Sequence, residues 1–373
     1  MRLQAQRLYF ALMKNKLVLV WLGISTLGLG MAQPLVGVAF DAGGKNDRSF
    51  NQSAWEGAER AAQELGAEIY DFEPRDPSQV AQGVRGFAAE GFDLVIGVGF
   101  SNEPAVTAVA REFPEVNFAV IDAVSPVKEN VASVTFREQE GSYLVGYIAG
   151  KLSQTGVVGF VGGMDTPLIH RFEAGYRAGI QAACPDCDLV SAYVGNTASA
   201  WNDPGRAKEV TRAHFSRGAD IIFVAAGGSG TGVIDAVRER RCLSGVEFRQ
   251  DPFASVPKDP EYTKACSSDA QPVFFIGVDA NQNYLGDFDD NPDTLNHGLT
   301  SMIKRVDLVT YTLIQEVAED RFIPGERGFG LAENGVGFAL DQYNEALISP
   351  ELAAELEQVR TRIISQELMV PTE

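Results

Sequence analysis

The stretch LVGVAFDAGGKNDRSFNQSAWEG, residues 35–57, joins an apolar run to an amphipathic segment through a polar turn with two glycines. Residues 35–40 form a short, continuous apolar run, which is typical of a buried strand in a parallel sheet. Ser49, followed three residues later by Gln52, matches a capping box and predicts a helix that begins at Phe50. A strand, a glycine turn and a helix in this order predict the first unit of a parallel α/β sheet.

The same alternation of strand-like and helix-like segments continues along most of the chain. Apolar runs separated by amphipathic segments of helix length occur at residues 35–40, 68–72, 94–97, 118–121, 157–161, 189–194, 221–225 and 273–278. This pattern predicts an α/β fold with parallel sheets covered by helices on both faces. Eight such units could close into one barrel or divide into two sheets.

Three irregular stretches favour two sheets. They lie at residues 122–136, 286–296 and 323–337 and interrupt the strand and helix rhythm. We therefore expect two doubly wound parallel-sheet lobes joined by a three-segment hinge. The predicted N-terminal lobe contains residues 34–135 and 296–325, and the predicted C-terminal lobe contains 136–295 and 326–373. Residues 241–271, which include three prolines, are predicted to form a surface loop inserted in the second lobe.

Composition and the N-terminus indicate an exported protein. The 373 residues carry a formal charge of −19, and this acidic balance argues against a partner such as nucleic acid. Residues 1–32 are predicted to be a signal peptide, because cations precede the apolar run 17–29 and small residues follow it. An uncleaved anchor helix is the alternative interpretation. We expect a periplasmic or cell-envelope location.

The four cysteines are compatible with two disulfides outside the cytoplasm. Cys184 and Cys187 lie in the sequence CPDC, and Cys242 and Cys266 flank the predicted inserted loop, which a bond between them could close. Four free thiols are the alternative. A zinc site is disfavoured because it would need a second close pair of cysteines.

The sequence gives little support for a catalytic site, a metal site or a cofactor site. The three histidines lie near no nucleophile motif, and the acidic loop 287–293 lacks the glycine and glutamate of an EF-hand. The sequence AAGGSGTG at 225–232, which contains Gly228, has neither the Walker A nor the dinucleotide spacing. We expect this loop to approach a ligand closely with its backbone, and we expect no catalytic residue, metal or cofactor.

Two aromatic residues occupy equivalent places in the two halves of the chain. Phe50 falls in the first turn of the helix that follows the strand 35–40, and Trp201 follows the strand 189–194 just before another helix. Doubly wound folds bind ligands at the carboxyl ends of their strands. If the lobes face each other, Phe50 and Trp201 would enclose a flat ring; packing beneath the loop is the alternative for Phe50.

Aspartates end three of the predicted strands. Asp41, Asp122 and Asp279 each follow an apolar run directly. At the ligand-binding edge their carboxylates could accept hydrogen bonds from ring N–H groups or from ribose hydroxyls. Helix capping is the alternative role of each.

Several longer motifs give the chain a family resemblance. They are DRSFNQSAWEG, FAVID, YLVGYIAGKLS, GFVGGMDTPLIHRFEAGYRAG, NDPGRAKE and LTSMIKR. With them, nearly the whole chain after residue 32 resembles the basic membrane protein family of ABC-transporter substrate-binding proteins, typified by purine nucleoside receptor lipoproteins. The chain departs from the family in having no cysteine before Cys184, so a lipid anchor is not expected, and in having Trp201 where Phe is frequent.

The resemblance implies a type I periplasmic-binding fold that closes on a nucleoside. Phe50 and Trp201 would stack on the base, while the polar groups of the ligand would be bound by Asp41, Asp122, Asp279 and Lys304, with Asn46, Asp47, Ser101 and Gly228 as neighbours. We expect a non-enzymatic, monomeric receptor that binds a nucleoside, most naturally a purine nucleoside, and delivers it to a membrane permease. Binding of a sugar, a flavin or another small metabolite in the same fold, or cleavage of a nucleoside, are the alternatives.

Overall fold

The computed structural model describes residues 33–373, so the predicted signal peptide lies outside the described residues. The strands are β1 Leu35–Ala39, β2 Glu68–Phe72, β3 Leu94–Gly97, β4 Asn117–Ile121, β5 Val131–Phe136, β6 Val157–Met164, β7 Asp188–Gly195, β8 Ile221–Ala225, β9 Cys242–Leu243, β10 Gln271–Pro272, β11 Phe274–Asp279, β12 Gly298–Lys304, β13 Gly325–Phe329 and β14 Val336–Phe338. The helices are α1 Phe50–Leu65, α2 Val80–Ala89, α3 Glu103–Glu112, α4 Glu138–Leu152, α5 Pro167–Ala183, α6 Pro204–Ser216, α7 Gly230–Arg240, α8 Pro260–Ala265, α9 Val306–Ala318 and α10 Pro350–Ile364. Within this part of the chain, no helix is long and apolar enough to span a membrane.

Two six-stranded sheets organise the described residues. The first has the strand order β13-β5-β4-β3-β1-β2 and the second the order β14-β12-β11-β8-β6-β7. Every pairing in them is parallel except that of β12 with the edge strand β14. The inner strands β3 and β8 are buried along their whole length, which explains their uninterrupted apolar sequences. The predicted α/β class with two parallel sheets is confirmed.

The chain passes between the two sheets three times. It crosses at Arg137 between β5 and α4, at Arg305 between β12 and α9, and at residues 330–335 between β13 and β14. The crossing segments bond to one another: the Arg137 amide donates to the Phe329 carbonyl at 2.8 Å, and the Arg305 amide donates to the Gly335 carbonyl at 2.8 Å. Backbone hydrogen bonds therefore link the three crossing segments that form the hinge.

One predicted crossing is corrected. Residues 286–296 do not lead into the first lobe, because β12 pairs with β11 in the second sheet, with Ile276 beside Thr300 and Asp279 beside Ile303. The irregular segment only replaces the helix that would normally connect two parallel strands. Judged by the sheet to which each strand belongs, the lobe boundary that was expected at residue 296 lies at Arg305. The lobe boundary that was expected at residue 325 lies after β13.

The insertion at residues 241–271 is also more ordered than predicted. It contains the two-stranded ribbon of β9 and β10 and the helix α8, and a disulfide joins Cys242 to Cys266. Phe253 is fully buried, with its ring centroid 4.6 Å from that of Phe274. Because the insertion has apolar side chains of its own, it packs on the second lobe. A second disulfide joins Cys184 to Cys187.

Glycines bring α4 and α5 into backbone contact. A Cβ atom added to Gly179 would lie 2.1 Å from the carbonyl oxygen of Tyr143, and one added to Gly146 would lie 2.2 Å from that of Tyr176. No side chain fits between the helices at these points. This contact holds α4 and α5 directly against each other.

We predict that Gly179→Ala destabilises the protein by about 1–3 kcal/mol, because the new methyl group forces the two helices apart. The control is Gly86→Ala, where the added Cβ meets no atom within 4 Å. That change should stabilise the helix α2 by roughly 0.5–1 kcal/mol. Urea unfolding of both variants measures the effects, and equal stabilities of the two would contradict the close-packing explanation.

Two histidines are buried in the second lobe. His214 on α6 and His297 before β12 are at most 3% exposed, and His297 Nδ1 lies 2.7 Å from the Val273 carbonyl oxygen. Desolvation lowers the pKa of each imidazole from 6.5 to about 4. Between about pH 4 and pH 6.5, both imidazoles are thus neutral in the folded protein, whereas they would be protonated in the unfolded chain.

This burial makes stability sensitive to acid. The buried, neutral His214 contributes fully to the free energy of unfolding above pH 6.5, and this contribution is lost as the pH falls toward 4. Replacing it in His214→Phe should reduce the loss of unfolding free energy between neutral pH and pH 5 by about 2 kcal/mol. Chemical denaturation at several pH values measures this difference. The exposed His170 provides the control, and a His170→Phe variant with the same reduction would show that burial is not the cause.

Candidate ligand-binding site

A cavity lies between the carboxyl ends of the strands of the two sheets. Its volume is about 60 Å³, which is below the range of about 300–1,000 Å³ that is usual for ligand pockets. Of the residues predicted for the site, those that line it are Asp41, Asp47, Phe50, Asp122, Trp201, Asp279 and Lys304. Asn46 and Gly228 line an adjoining cleft that shares Asp47 with the cavity, whereas Ser101 is exposed and lines neither.

Aromatic side chains from both lobes form the cavity walls. Phe50 is the first residue of α1, and Trp201 ends a 3₁₀ turn after β7. The Trp201 ring lies directly against the backbone of β6, since a Cβ atom on Gly163 would be 2.3 Å from it. Phe100 from the first lobe contacts the same indole, with ring centroids 6.4 Å apart and planes at 70°. The sequence prediction missed Phe100, although it follows the strand β3 as Asp41 follows β1.

Asp122 and Asp279 hold equivalent places in the two sheets. Asp122 follows β4 and Asp279 ends β11, and these strands have the same position in their respective sheet orders. Both residues adopt the left-handed backbone conformation, with φ of 68° and 65°. This conformation is uncommon outside glycine, although aspartate tolerates it, and such backbone strain clusters at functional sites.

Asp41 is held by neutral groups of its own lobe. Its Oδ1 accepts hydrogen bonds from the Gly43 amide at 2.8 Å and from Asn51 Nδ2 at 2.8 Å. Burial raises the pKa of the Asp41 carboxyl above its ordinary value, although these bonds lower it. Asn51 also lines the cavity, and its Oδ1 is buried without a hydrogen-bond partner. Asn51 was missed in the sequence because it ends no strand.

The capping box predicted for α1 is corrected. The Ser49 side chain makes no bond to the helix; its hydroxyl donates to Asp279 Oδ2 at 2.5 Å and so joins the two lobes. Asp47 takes the capping role instead, since its carboxylate accepts from the amides of Ser49, Asn51 and Gln52 at 2.8, 3.0 and 3.1 Å. Burial nevertheless raises the pKa of Asp47 to about 7.

Lys304 forms the centre of a buried ionic network. Its Nζ donates to Asp122 Oδ2 at 2.6 Å and to Glu138 Oε1 at 3.1 Å, and Glu138 Oε2 accepts from Arg171 Nε at 2.9 Å. Burial raises the pKa of Asp122 to about 6 despite the attraction of Lys304. Desolvation lowers the pKa of Lys304, but the neighbouring carboxylates outweigh it and the net shift is upward.

Two further features of the network affect the chemistry of the site: the buried Glu138 and the second carboxylate oxygen of Asp122. Glu138 is fully buried at the first position of α4 and was not predicted from the sequence, because an acidic first turn is ordinary in helices. The second oxygen of Asp122 has no partner. Within residues 33–373, no cluster of three or more His, Cys, Asp or Glu side chains is arranged to hold a metal ion.

Comparisons with known proteins agree with this architecture. Residues 35–373 match the family profile Bmp, described as ABC transporter substrate-binding protein PnrA-like. The CD4+ T-cell-stimulating antigen of Listeria monocytogenes is 32% identical over 348 residues, which cover 90% of this chain and 87% of the antigen. The ABC transporter nucleoside-binding protein BmpA of Lactococcus lactis is 31% identical over 342 residues, covering 90% of this chain and 88% of BmpA.

A solved structure of an ABC transporter solute-binding protein from Aeropyrum pernix K1 shares the fold. It has a TM-score of 0.74 and 28% identity, and the match covers 91% of this chain and 94% of that one. The family resemblance deduced from the sequence motifs is thus confirmed along almost the entire described chain. The protein belongs to the Bmp family of PnrA-like ABC transporter substrate-binding proteins.

Proposed function

We propose that this protein is an exported, non-enzymatic receptor that binds a purine nucleoside between its two lobes and delivers it to an ABC permease. Membership of a substrate-binding family supports the transport role. The name of the relative from Lactococcus lactis, a nucleoside-binding protein, supports the ligand class.

One observation carries the proposal: Phe50 from the first lobe and Trp201 from the second line the same cavity. In the proposed complex, the flat base lies between these two rings. Stacking of a base on an aromatic side chain contributes about 1–3 kcal/mol, and it requires only a π face, so this contact supplies affinity.

The polar groups of the cavity suit a ligand that donates hydrogen bonds. Asn51 Oδ1 and Asp122 Oδ1 are buried acceptors without a partner. An unsatisfied buried acceptor costs about 1–3 kcal/mol, which a ligand N–H or O–H would recover. The amino and ring N–H groups of a purine and the hydroxyls of ribose are donors of this kind, so these acceptors supply selectivity.

Binding would be coupled to closure of the lobes. The proposed contacts come from both sheets, and the only chain connections between the sheets in the described residues are the three crossing segments. A ligand that contacts both lobes has a higher affinity for the closed arrangement and therefore shifts the population toward it.

We expect Phe50→Ala and Trp201→Ala each to weaken guanosine binding by roughly 10-fold to 100-fold, because each removes one stacked face. Calorimetric titration of protein that has been unfolded and refolded, to strip any bound ligand, measures the change. Tyr284→Ala is the control, since Tyr284 is 48% exposed and lies outside the cavity. Undiminished binding in both cavity variants would refute the aromatic clamp, and absence of binding by guanosine, adenosine, inosine and uridine would refute the nucleoside proposal.

Guanosine 5′-monophosphate should bind at least about tenfold more weakly than guanosine, because its phosphate adds negative charge to a cavity rich in aspartate. Competition between the two ligands in the same calorimetric assay tests this discrimination. Equal or tighter binding of the monophosphate would contradict the assignment of Asp41, Asp122 and Asp279 as ligand-facing carboxylates.

A further inference from the structure

The cavity carries an unbalanced charge. Asp41, Asp47, Asp122 and Asp279 line it together with one cation, Lys304, which gives the lining a formal charge of −3. Lys304 is already engaged by Asp122 and by Glu138. Among the described residues, Asp41, Asp47 and Asp279 form no salt bridge. The buried carboxylates of Asp47 and Asp279 and the partly buried one of Asp41 therefore have no direct ionic partner, although Lys304 attracts Asp279 at longer range.

Only neutral groups contact these three carboxylates directly. Asp41 accepts from an amide and from Asn51, Asp47 accepts from backbone amides, and Asp279 accepts from the Ser49 hydroxyl. Burial raises the pKa of each carboxyl group, because the opposing effects, which are hydrogen bonds from neutral donors and for Asp279 also the attraction of Lys304, do not compensate for desolvation. A positive charge placed between them would favour their ionised forms and would be attracted to them in this water-poor setting.

The aromatic walls also favour a cation. Lys304 Nζ lies 5.1 Å from the ring centroid of Phe50, 4.9 Å from that of Phe136 and 5.5 Å from that of Phe172. The protein thus already stabilises one ammonium group on ring faces, including the face of Phe50. A positively charged flat ring between Phe50 and Trp201 would gain cation–π attraction in addition to stacking.

We infer that the cavity selects nucleosides whose base carries a positive charge, such as N-methylated purine nucleosides and pyridinium nucleosides, over neutral nucleosides of the same shape. This inference rests on the proposed nucleoside-binding function. A cationic base would pair with the carboxylates that have no cation of their own, while its ribose would keep the hydrogen bonds available to a neutral nucleoside.

Two matched ligand pairs test the inference by calorimetric titration of the mature protein near neutral pH. 1-Methyladenosine is cationic there, whereas its isomer N6-methyladenosine is neutral. Nicotinamide riboside has a permanent positive charge, whereas its dihydro form is neutral. We expect the charged member of each pair to bind at least about tenfold more tightly, because its charge lies among several buried carboxylates.

An Asp279→Asn variant separates charge from shape, because it removes one carboxylate at nearly constant volume. It should reduce the preference for the charged member of each pair, whereas a steric effect of the methyl group would be unchanged. Asp165→Asn is the matched control: Asp165 is an exposed carboxylate outside the cavity, paired with His170, and its replacement should leave the preference intact.

The outcomes distinguish this inference from the proposed function. If neutral nucleosides bind and the charged members bind no more tightly in either pair, the charge inference is overturned and the nucleoside-binding function stands. If neither member of either pair binds, and guanosine, adenosine, inosine and uridine also fail to bind, the proposed function fails. A preference that persists undiminished in Asp279→Asn would also overturn the inference, because the cavity carboxylate would then play no part.

Discussion

The ion pair between Lys304 and Asp122 is the interaction on which the arrangement of the site depends. Lys304 ends β12 of the second sheet and Asp122 follows β4 of the first, so their contact at 2.6 Å joins the two lobes beside the hinge. Both side chains are buried, and separating them would leave two charges in a poorly solvated environment. Glu138, at the start of the helix that follows the first crossing, completes the arrangement by contacting the same ammonium group. The aromatic ring of Phe50 lies against this cation, so the ionic network and the stacking wall are physically continuous.

Contacts between the lobes divide the interface into a hinge side and a cleft side. On the hinge side, backbone hydrogen bonds among the three crossings and the Lys304 network hold the sheets together. On the cleft side, the contacts involve side chains, such as Ser49 with Asp279 and Phe100 with Trp201. A movement that opens the cleft would break the second group and retain the first. Phe50, Trp201 and Asp279, which are proposed to contact the ligand, therefore belong to the part of the interface that can separate, whereas Asp122 and Lys304 belong to the hinge side.

Much of the fold follows from local sequence patterns. The helix Phe50–Leu65 starts where the sequence predicted, although the capping box on which that prediction rested does not form. The lobe assignment of β12 could not be read in this way, because it depends on pairing with β11, and pairing is a property of the assembled sheet. Strand-end position identified Asp41, Asp122 and Asp279 as cavity residues. Asn51 and Glu138 carry no such signal, since their importance arises from partners that are distant in the sequence, and Asp47 displaced Ser49 as the helix cap because it reaches the same amides.

The position of the Trp201 indole against Gly163 has a consequence for how this binding site can change during evolution. Any side chain at position 163 would occupy the space of the indole, and a smaller ring at position 201 would leave a gap above β6. Substitutions at the two positions are therefore coupled. A larger residue at one position is tolerated best when the residue at the other becomes smaller. In the proposed complex, this pair forms the wall that faces the base on the side of the second lobe. A descendant of this protein could replace this aromatic wall by two compensating substitutions, without altering the carboxylates or the hinge.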